Sequence, residues 1–245
     1  MKNKTAIICG VTGGIGQEVA KQMLIEKIEV CGIYNNQNKV KELTEKLGMN
    51  SLSLYQIDLT DTESADVGFR KLLAEHPNVD IVVFSVSRLI EYRPILESTW
   101  LDYNKHLDLQ LKGIYNVVQN LTKQIKNGRG IKFIILLTEA CFGRPPAGMS
   151  HYVSAKYALL GIAKTMAVEF AKYNCTVNLV SPGMVQTDLI SNFPAKLVEL
   201  QAEKNPLKRI ANPVDVANVV IFLSQDESCY LNGVNIAVNG GQVIF

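Results

Sequence analysis

The chain has 245 residues, enough to bury a sizeable core as one large α/β domain or two small ones. Hydrophobic residues make up 47% and charged residues 20%, which excludes a disordered chain. The formal charge of +2, with basic residues dispersed apart from a short cluster at 39–46, gives no electrostatic case for a nucleic-acid partner. Five cysteines (Cys9, Cys31, Cys141, Cys175 and Cys229) form no Cys-x-x-Cys pair. That odd, scattered set predicts reduced thiols, no metal site and a cytoplasmic protein. The first apolar run is too short for a signal peptide, and no run approaches the length of a membrane span.

Residues Thr5–Cys9 form a short apolar run that reads as a buried parallel strand. Gly10-Val11-Thr12-Gly13-Gly14-Ile15-Gly16 follows, then a helical pattern over 17–27. Strand, glycine loop and helix together make a cradle for a pyrophosphate. Backbone N–H groups and the positive end of the helix dipole face the anion, and glycine lets the backbone come close. Glu29–Tyr34 reads as the second strand, 37–47 as a charged helix and 51–57 as the third strand. The β-α-β-α-β run predicts a doubly wound, Rossmann-type parallel sheet of about seven strands with right-handed crossovers, helices on both faces and one domain over 1–245.

In such folds the end of the second strand faces the adenosine ribose, where an acid favours NAD over NADP. Here stand Tyr34, Asn35 and Asn36, with no acid and no neighbouring arginine or lysine. The reading leans to NADP(H) over NAD(H); the alternative is that the asparagines only shape a turn. Asp58 follows the third strand and could receive the adenine amino group, while Thr60 or Asp61 caps a helix over 63–75. Residues 80–84 form the fourth strand. Residues 96–126 read as one or two amphipathic helices, with Trp100, Leu107, Leu111 and Tyr115 as candidate core positions or, alternatively, as a face for a second subunit.

The central strand is expected over 131–137, a loop over 138–150, a helix to about residue 173 and the sixth strand over 176–180. The polar stretch 185–207 is placed to cover a site as a lid. A helix over 214–223 and a strand over 233–238 complete the chain. At the start of the long helix, Tyr152 and Lys156 lie four residues apart, on one helical face. An ammonium beside a phenol favours the phenolate, which suits the phenol to proton transfer with a substrate oxygen.

Taken together, these motifs resemble those of the short-chain dehydrogenase/reductase family, in particular its 3-oxoacyl-carrier-protein reductase type, over nearly the whole chain. Gly10, Gly14 and Gly16 match the Thr-Gly-x-x-x-Gly-x-Gly loop with Cys9 in place of threonine, Asp58 the adenine-binding aspartate, and Tyr152 and Lys156 the catalytic pair. Asn178-x-x-x-Pro182-Gly183 with Thr187 matches the segment that holds the nicotinamide. Asn205-Pro206-Leu207 with Arg209, and Asn239-Gly240-Gly241, match C-terminal landmarks. The resemblance also places Thr12, Gly13, Ile15, Leu59, Ser85 and Val185 against the cofactor. It implies that Lys156 binds the nicotinamide ribose and lowers the Tyr152 pKa, and that Tyr152 is the general acid or base. It further implies a small carbonyl or alcohol substrate, including acyl thioesters, and a homotetramer or homodimer.

Three positions depart from the family pattern. Phe84-Ser85-Val86-Ser87 replaces Asn-Asn-Ala-Gly, Gln110 replaces the helix asparagine of the proton relay, and the residue thirteen before Tyr152, where the family has serine, is Glu139. An ionised glutamate cannot donate to a substrate carbonyl and would raise the Tyr152 pKa. Glu139 could be a protonated donor or a solvated loop residue. Thr138 could substitute through a local shift, although neighbours on a strand face opposite sides. If neither donates, the fold would carry isomerisation or elimination using Glu139, or would be a non-catalytic nucleotide-binding partner subunit.

Overall fold

The computed structural model describes residues 4–47 and 51–244. Residues 1–3 of the N-terminal run, and the side chain of Lys46 in the basic cluster, lie outside what is described. Seven parallel strands form one sheet in the order β3-β2-β1-β4-β5-β6-β7. They are β1 (Thr5–Cys9), β2 (Glu29–Tyr34), β3 (Leu52–Gln56), β4 (Ile81–Phe84), β5 (Lys132–Leu136), β6 (Thr176–Pro182) and β7 (Asn235–Val238).

The pleat sends alternate side chains of each strand into two cores. Ile7 and Cys9 of β1 point to one face, and Ala6 and Ile8 to the other. The first face is covered by α3 (Thr62–Glu75), α5 (Gly113–Asn120) and α7 (Ser150–Phe170), through Phe69, Val117 and Leu159 among others. The second is covered by α1 (Gly14–Ile25), α2 (Val40–Leu47) and α9 (Pro213–Ser224), through Val19, Leu43 and Val220. Helix starts follow local chemistry. Asp61 caps α3 by accepting from the Glu63 N–H at 3.1 Å. Asn212 and Asp215 form a capping box at α9, with Pro213 in its first turn.

The strand order reverses direction between β1 and β4, and a crevice opens there at the carboxyl ends of the strands. The lid region contains a 3₁₀ turn (Asp188–Ile190) and α8 (Ala195–Lys204).

The stretch 96–126 differs most from expectation. It is α4 (Trp100–Leu107), a π turn (Asp108–Lys112), α5 and α6 (Thr122–Lys126). Trp100, Leu111 and Tyr115 are 68%, 38% and 51% exposed, and Leu107 is half-buried, so the apolar stripe is not core. His106, Gln110, Ile114, Val117 and Leu121 face inward instead. Two of these are polar because this face borders the site rather than the sheet core.

Candidate active site

At the crevice, the glycine loop is shaped by close backbone approaches. Gly10 has φ +84°, and a Cβ there would stand 2.8 Å from the Ser85 carbonyl oxygen. A Cβ on Gly16 would stand 2.2 Å from the Gly10 carbonyl oxygen. Gly14 faces Thr187, whose Cγ2 would lie 2.8 Å from an added Cβ. Gly14, the second glycine of the motif, thus makes room for the lid segment. Gly13 caps α1 without any side-chain bond, leaving the first-turn N–H groups of a twelve-residue helix open to an anion. Ile15 leaves the loop and packs into the second core.

A cleft of about 350 Å³ runs along the strand ends and is lined by Gly10, Thr12, Gly13, Tyr34, Asn35, Asn36, Asp58, Leu59 and Ser85. Nine of the residues predicted to face a cofactor are therefore brought together. Asn35 and Asn36 line the cleft, and Asn36 also shapes the turn, its side chain accepting from the Asn38 N–H at 3.0 Å. Asp58 Oδ1 accepts from the Thr60 N–H and hydroxyl at 2.8 and 2.7 Å, which holds that acid at the cleft wall.

One expectation is corrected here. The sequence reading found no cation near Asn35 and Asn36, yet Lys39 and Arg88 both line this cleft. A 3₁₀ turn (Gln37–Lys39) folds Lys39 back, and its ammonium meets Asp188 of the lid at 2.5 Å. Arg88 arrives from the loop after β4, too far along the chain to be read as a neighbour.

Pro182 ends β6 with Gly183 just after it, and Val185 is buried and bridges Ala211. Gly183 faces a second pocket, as do the C-terminal landmarks, which fasten to one another. Asn205 Nδ2 donates to the Asn239 carbonyl at 2.8 Å, and Arg209 makes a two-point pair with Asp215. Asn178 acts away from the cleft, clasping the approach to β7 through the Leu231 carbonyl and the Val234 N–H.

The reactive side chains converge where β5 ends and α7 begins. Thr138 is extended, and its hydroxyl, which accepts from the Ala140 N–H at 3.3 Å, lies close enough to the Tyr152 phenol to pull the phenol's pKa down. Glu139 turns to the opposite side, into the second pocket of about 350 Å³ with Gly183 and Asn239. Burial raises its pKa, opposed by the nearby Asn239 side chain, and its Oε2 is buried without a partner among the described residues. The two pockets have no lining residue in common. Thr138 thus stands at the phenol, while Glu139 begins the 3₁₀ turn and faces the second pocket, still close enough for its charge to raise the Tyr152 pKa.

Lys156, 3% exposed, donates to Gln110 Oε1 at 3.1 Å and to the Leu136 carbonyl at 2.8 Å. Gln110 sits in the π turn and donates its amide to the Val86 carbonyl at 3.0 Å. The longer side chain thus spans the gap between the lysine and the loop after β4. The expected direction of the phenol pKa is corrected as well. Burial pushes Tyr152 up to about 12, against the downward pull of the Thr138 hydroxyl, and burial brings Lys156 down to about 7. A buried lysine that is close to losing its own charge does not set the phenol's pKa. Around neutral pH the pair holds a protonated phenol, poised to give a proton.

Sequence reasoning missed four residues at or beside the site: Lys39, Arg88, His106 and His151. His151, next to Tyr152, was the one open to notice.

A family model described as enoyl-(acyl carrier protein) reductase matches residues 10–242. The chain is 28% identical over 242 residues to the 3-oxoacyl-[acyl-carrier-protein] reductase FabG of Staphylococcus epidermidis, covering 98% of each protein. It is 28% identical over 247 residues to the FabG of Thermotoga maritima, covering 100% of this chain and 99% of that one. The fold superposes on a structure of ElxO with NADP bound at a TM-score of 0.89, with 23% identity and 98% of both chains covered. A short-chain type dehydrogenase/reductase from Mycobacterium ulcerans gives a TM-score of 0.89 at 24% identity, covering 99% of this chain and 90% of that one. With this match, sheet order and glycine loop, the chain belongs to the short-chain dehydrogenase/reductase family and is similar to its 3-oxoacyl-carrier-protein reductases.

Proposed function

We propose that the protein is an NADP(H)-dependent oxidoreductase that reduces a carbonyl group of a small molecule, with Tyr152 as the general acid. The observation that carries this reading is the convergence of three groups: the buried Tyr152 phenol, the Thr138 hydroxyl near it, and a buried Lys156 held by Gln110 and the Leu136 carbonyl. The cleft suits the cofactor on three counts: the open N-terminus of α1, the glycine approaches, and the cation Lys39 on the wall it shares with Asn35 and Asn36. A 2′-phosphate would draw on that lysine, which favours NADP(H) over NAD(H).

When bound, NADPH supplies the hydride to the carbonyl carbon. Tyr152 gives its phenolic proton to the carbonyl oxygen as negative charge gathers there. Thr138 offers its single hydroxyl hydrogen to the same oxygen. Lys156, held by Gln110 and the Leu136 carbonyl, is the nearby group able to return a proton, because its pKa near 7 lets it exist in both forms. Run backwards, the same groups oxidise an alcohol.

The direction of Glu139 favours this reading over isomerisation or elimination, since its carboxylate opens into the other pocket. The acyl thioesters named for the similar reductases are one class of substrate. The exposed stripe of Trp100, Leu111 and Tyr115 supports assembly as a homodimer or homotetramer in the cytoplasm.

Titration of the protein with NADPH and NADH, followed by nicotinamide fluorescence, tests the cofactor. Turnover by Tyr152→Phe tests the acid. The variant should bind NADPH normally and lose activity by about a hundredfold or more. Retained turnover in that variant would overturn the reading.

A further inference from the structure

A small cavity of about 100 Å³ lies between the loop after β4, α4 and the first turn of α7, and the reduction as described does not use it. His106 and His151 form its buried wall, at 6% and 2% exposure. Their rings are 4.9 Å apart, and Nδ1 of each is buried without a hydrogen-bond partner. Buried polar atoms are rarely left this way unless a ligand or water completes them. The pair is also close to the chemistry. The His106 ring stands edge-on to the Tyr152 ring at 6.2 Å, and His151 precedes Tyr152 in the chain.

Charge decides what kind of ligand fits. The rim carries Arg88, Arg93 and Lys105 against Glu91 and Asp102. Arg93 engages both acids, Asp102 Oδ2 at 3.2 Å and Glu91 Oε2 at 3.3 Å. Asp102 also accepts from the Thr99 N–H and hydroxyl. Arg88 and Lys105 have no ion-pair partner among the described residues, so the cavity is left net positive. His106 senses that field. Burial first, then His151, Arg88 and Lys156, hold its pKa at about 4, so it stays neutral. At His151 the acids Asp102 and Glu91 pull the other way, so the positive field that favours an anion lies on the His106 and Arg88 side of the cavity.

We propose that this cavity binds a carboxylate of the substrate, so that the protein reduces a short oxo acid in preference to an uncharged ketone. A planar, two-oxygen anion matches an imidazole N–H of His106 on one side and the guanidinium fork of Arg88 on the other. The 6.2 Å between the His106 and Tyr152 rings keeps the spacer between carboxylate and carbonyl to a few bonds. This inference rests on the reductase reading for its choice of substrate, but the binding pocket stands on the geometry of the histidines.

The test compares acetoacetate with its methyl ester, by calorimetric binding in the presence of saturating NADP⁺ and by kcat/KM for NADPH oxidation. Acetoacetate should bind more tightly and be turned over with at least about a tenfold higher kcat/KM. The acid-to-ester ratio should fall in His106→Gln, and in Lys105→Gln, whose exposed site protects folding. Equal binding and equal turnover of acid and ester overturn the carboxylate pocket and leave the reductase standing. Selective binding of acetoacetate with no oxidation of NADPH by either compound supports the pocket and overturns the reductase reading. A ratio unchanged in both variants would also overturn the pocket.

Discussion

Replacing Lys156 by methionine isolates the cost of keeping a lysine inside this fold. The side chain is 3% exposed, and burial lowers its pKa from 10.5 to about 7. Unfolded, it keeps its ordinary value, so between about pH 7 and about pH 10.5 the unfolded chain holds the extra proton and stability rises with pH. Below that window both states are charged and the penalty is largest; above it both are neutral and the penalty is gone. A shift of this size corresponds to roughly 4–5 kcal/mol at neutral pH. Against this, methionine leaves Gln110 Oε1 and the Leu136 carbonyl without their donor, at about 1–3 kcal/mol each. The net change at neutral pH is therefore small, but its pH dependence is not. Denaturant unfolding of both proteins should show the variant losing about 3 kcal/mol relative to the parent between about pH 7 and about pH 9.5. Other titrating groups, the buried cysteines included, largely cancel in the difference. A difference that stays constant across this range would refute the reasoning, because Lys156 would then remain an ordinary cation and not a group poised between its two forms near pH 7.

Gly16→Ala drives a methyl group to 2.2 Å from the Gly10 carbonyl oxygen, so it should lower stability by at least about 1–3 kcal/mol and abolish NADPH binding, as read by thermal unfolding and fluorescence titration. Lys39→Ala should weaken NADPH binding about tenfold and leave NADH binding nearly unchanged; equal losses for both would show that Lys39 does not select the phosphate. Tyr115→Asp, placed in the exposed stripe of α5, should dissociate the assembly in sedimentation analysis, and a parent protein that already sediments as a monomer would contradict the proposed assembly.

Much of the sheet was readable because its strands are short and uniformly apolar. β1 and β2 coincide with their predicted bounds, and runs such as Ile81–Phe84, buried on both faces, have few alternatives. The glycine loop was readable for a related reason, since Gly10 and Gly16 leave no space for a side chain. The α4–α5 face was misread because an apolar stripe at helical spacing does not say whether it meets the sheet or another surface. His106 and Gln110 point inward there on account of the site they border. Lys39 was missed because its position depends on a single 3₁₀ turn.

Glu139 posed a different problem. A count of thirteen residues back from Tyr152 ends on the acid, but the hydroxyl at the phenol belongs to Thr138, one residue earlier. A shift of one residue at a strand end exchanges the two faces, and counting cannot detect it. Without coordinates, Glu139 looked like the loss of a donor; in the fold it is a half-buried acid lining a separate pocket.

The most direct measurement is therefore the NADPH-dependent turnover of Thr138→Val beside that of Glu139→Gln. If Thr138 partners Tyr152 in carbonyl reduction, the valine variant, which keeps the shape and removes the hydroxyl, loses about a hundred- to a thousandfold in kcat, while the glutamine variant keeps nearly full activity. Full activity in Thr138→Val with a collapse in Glu139→Gln would contradict it and return the chemistry to the carboxylate.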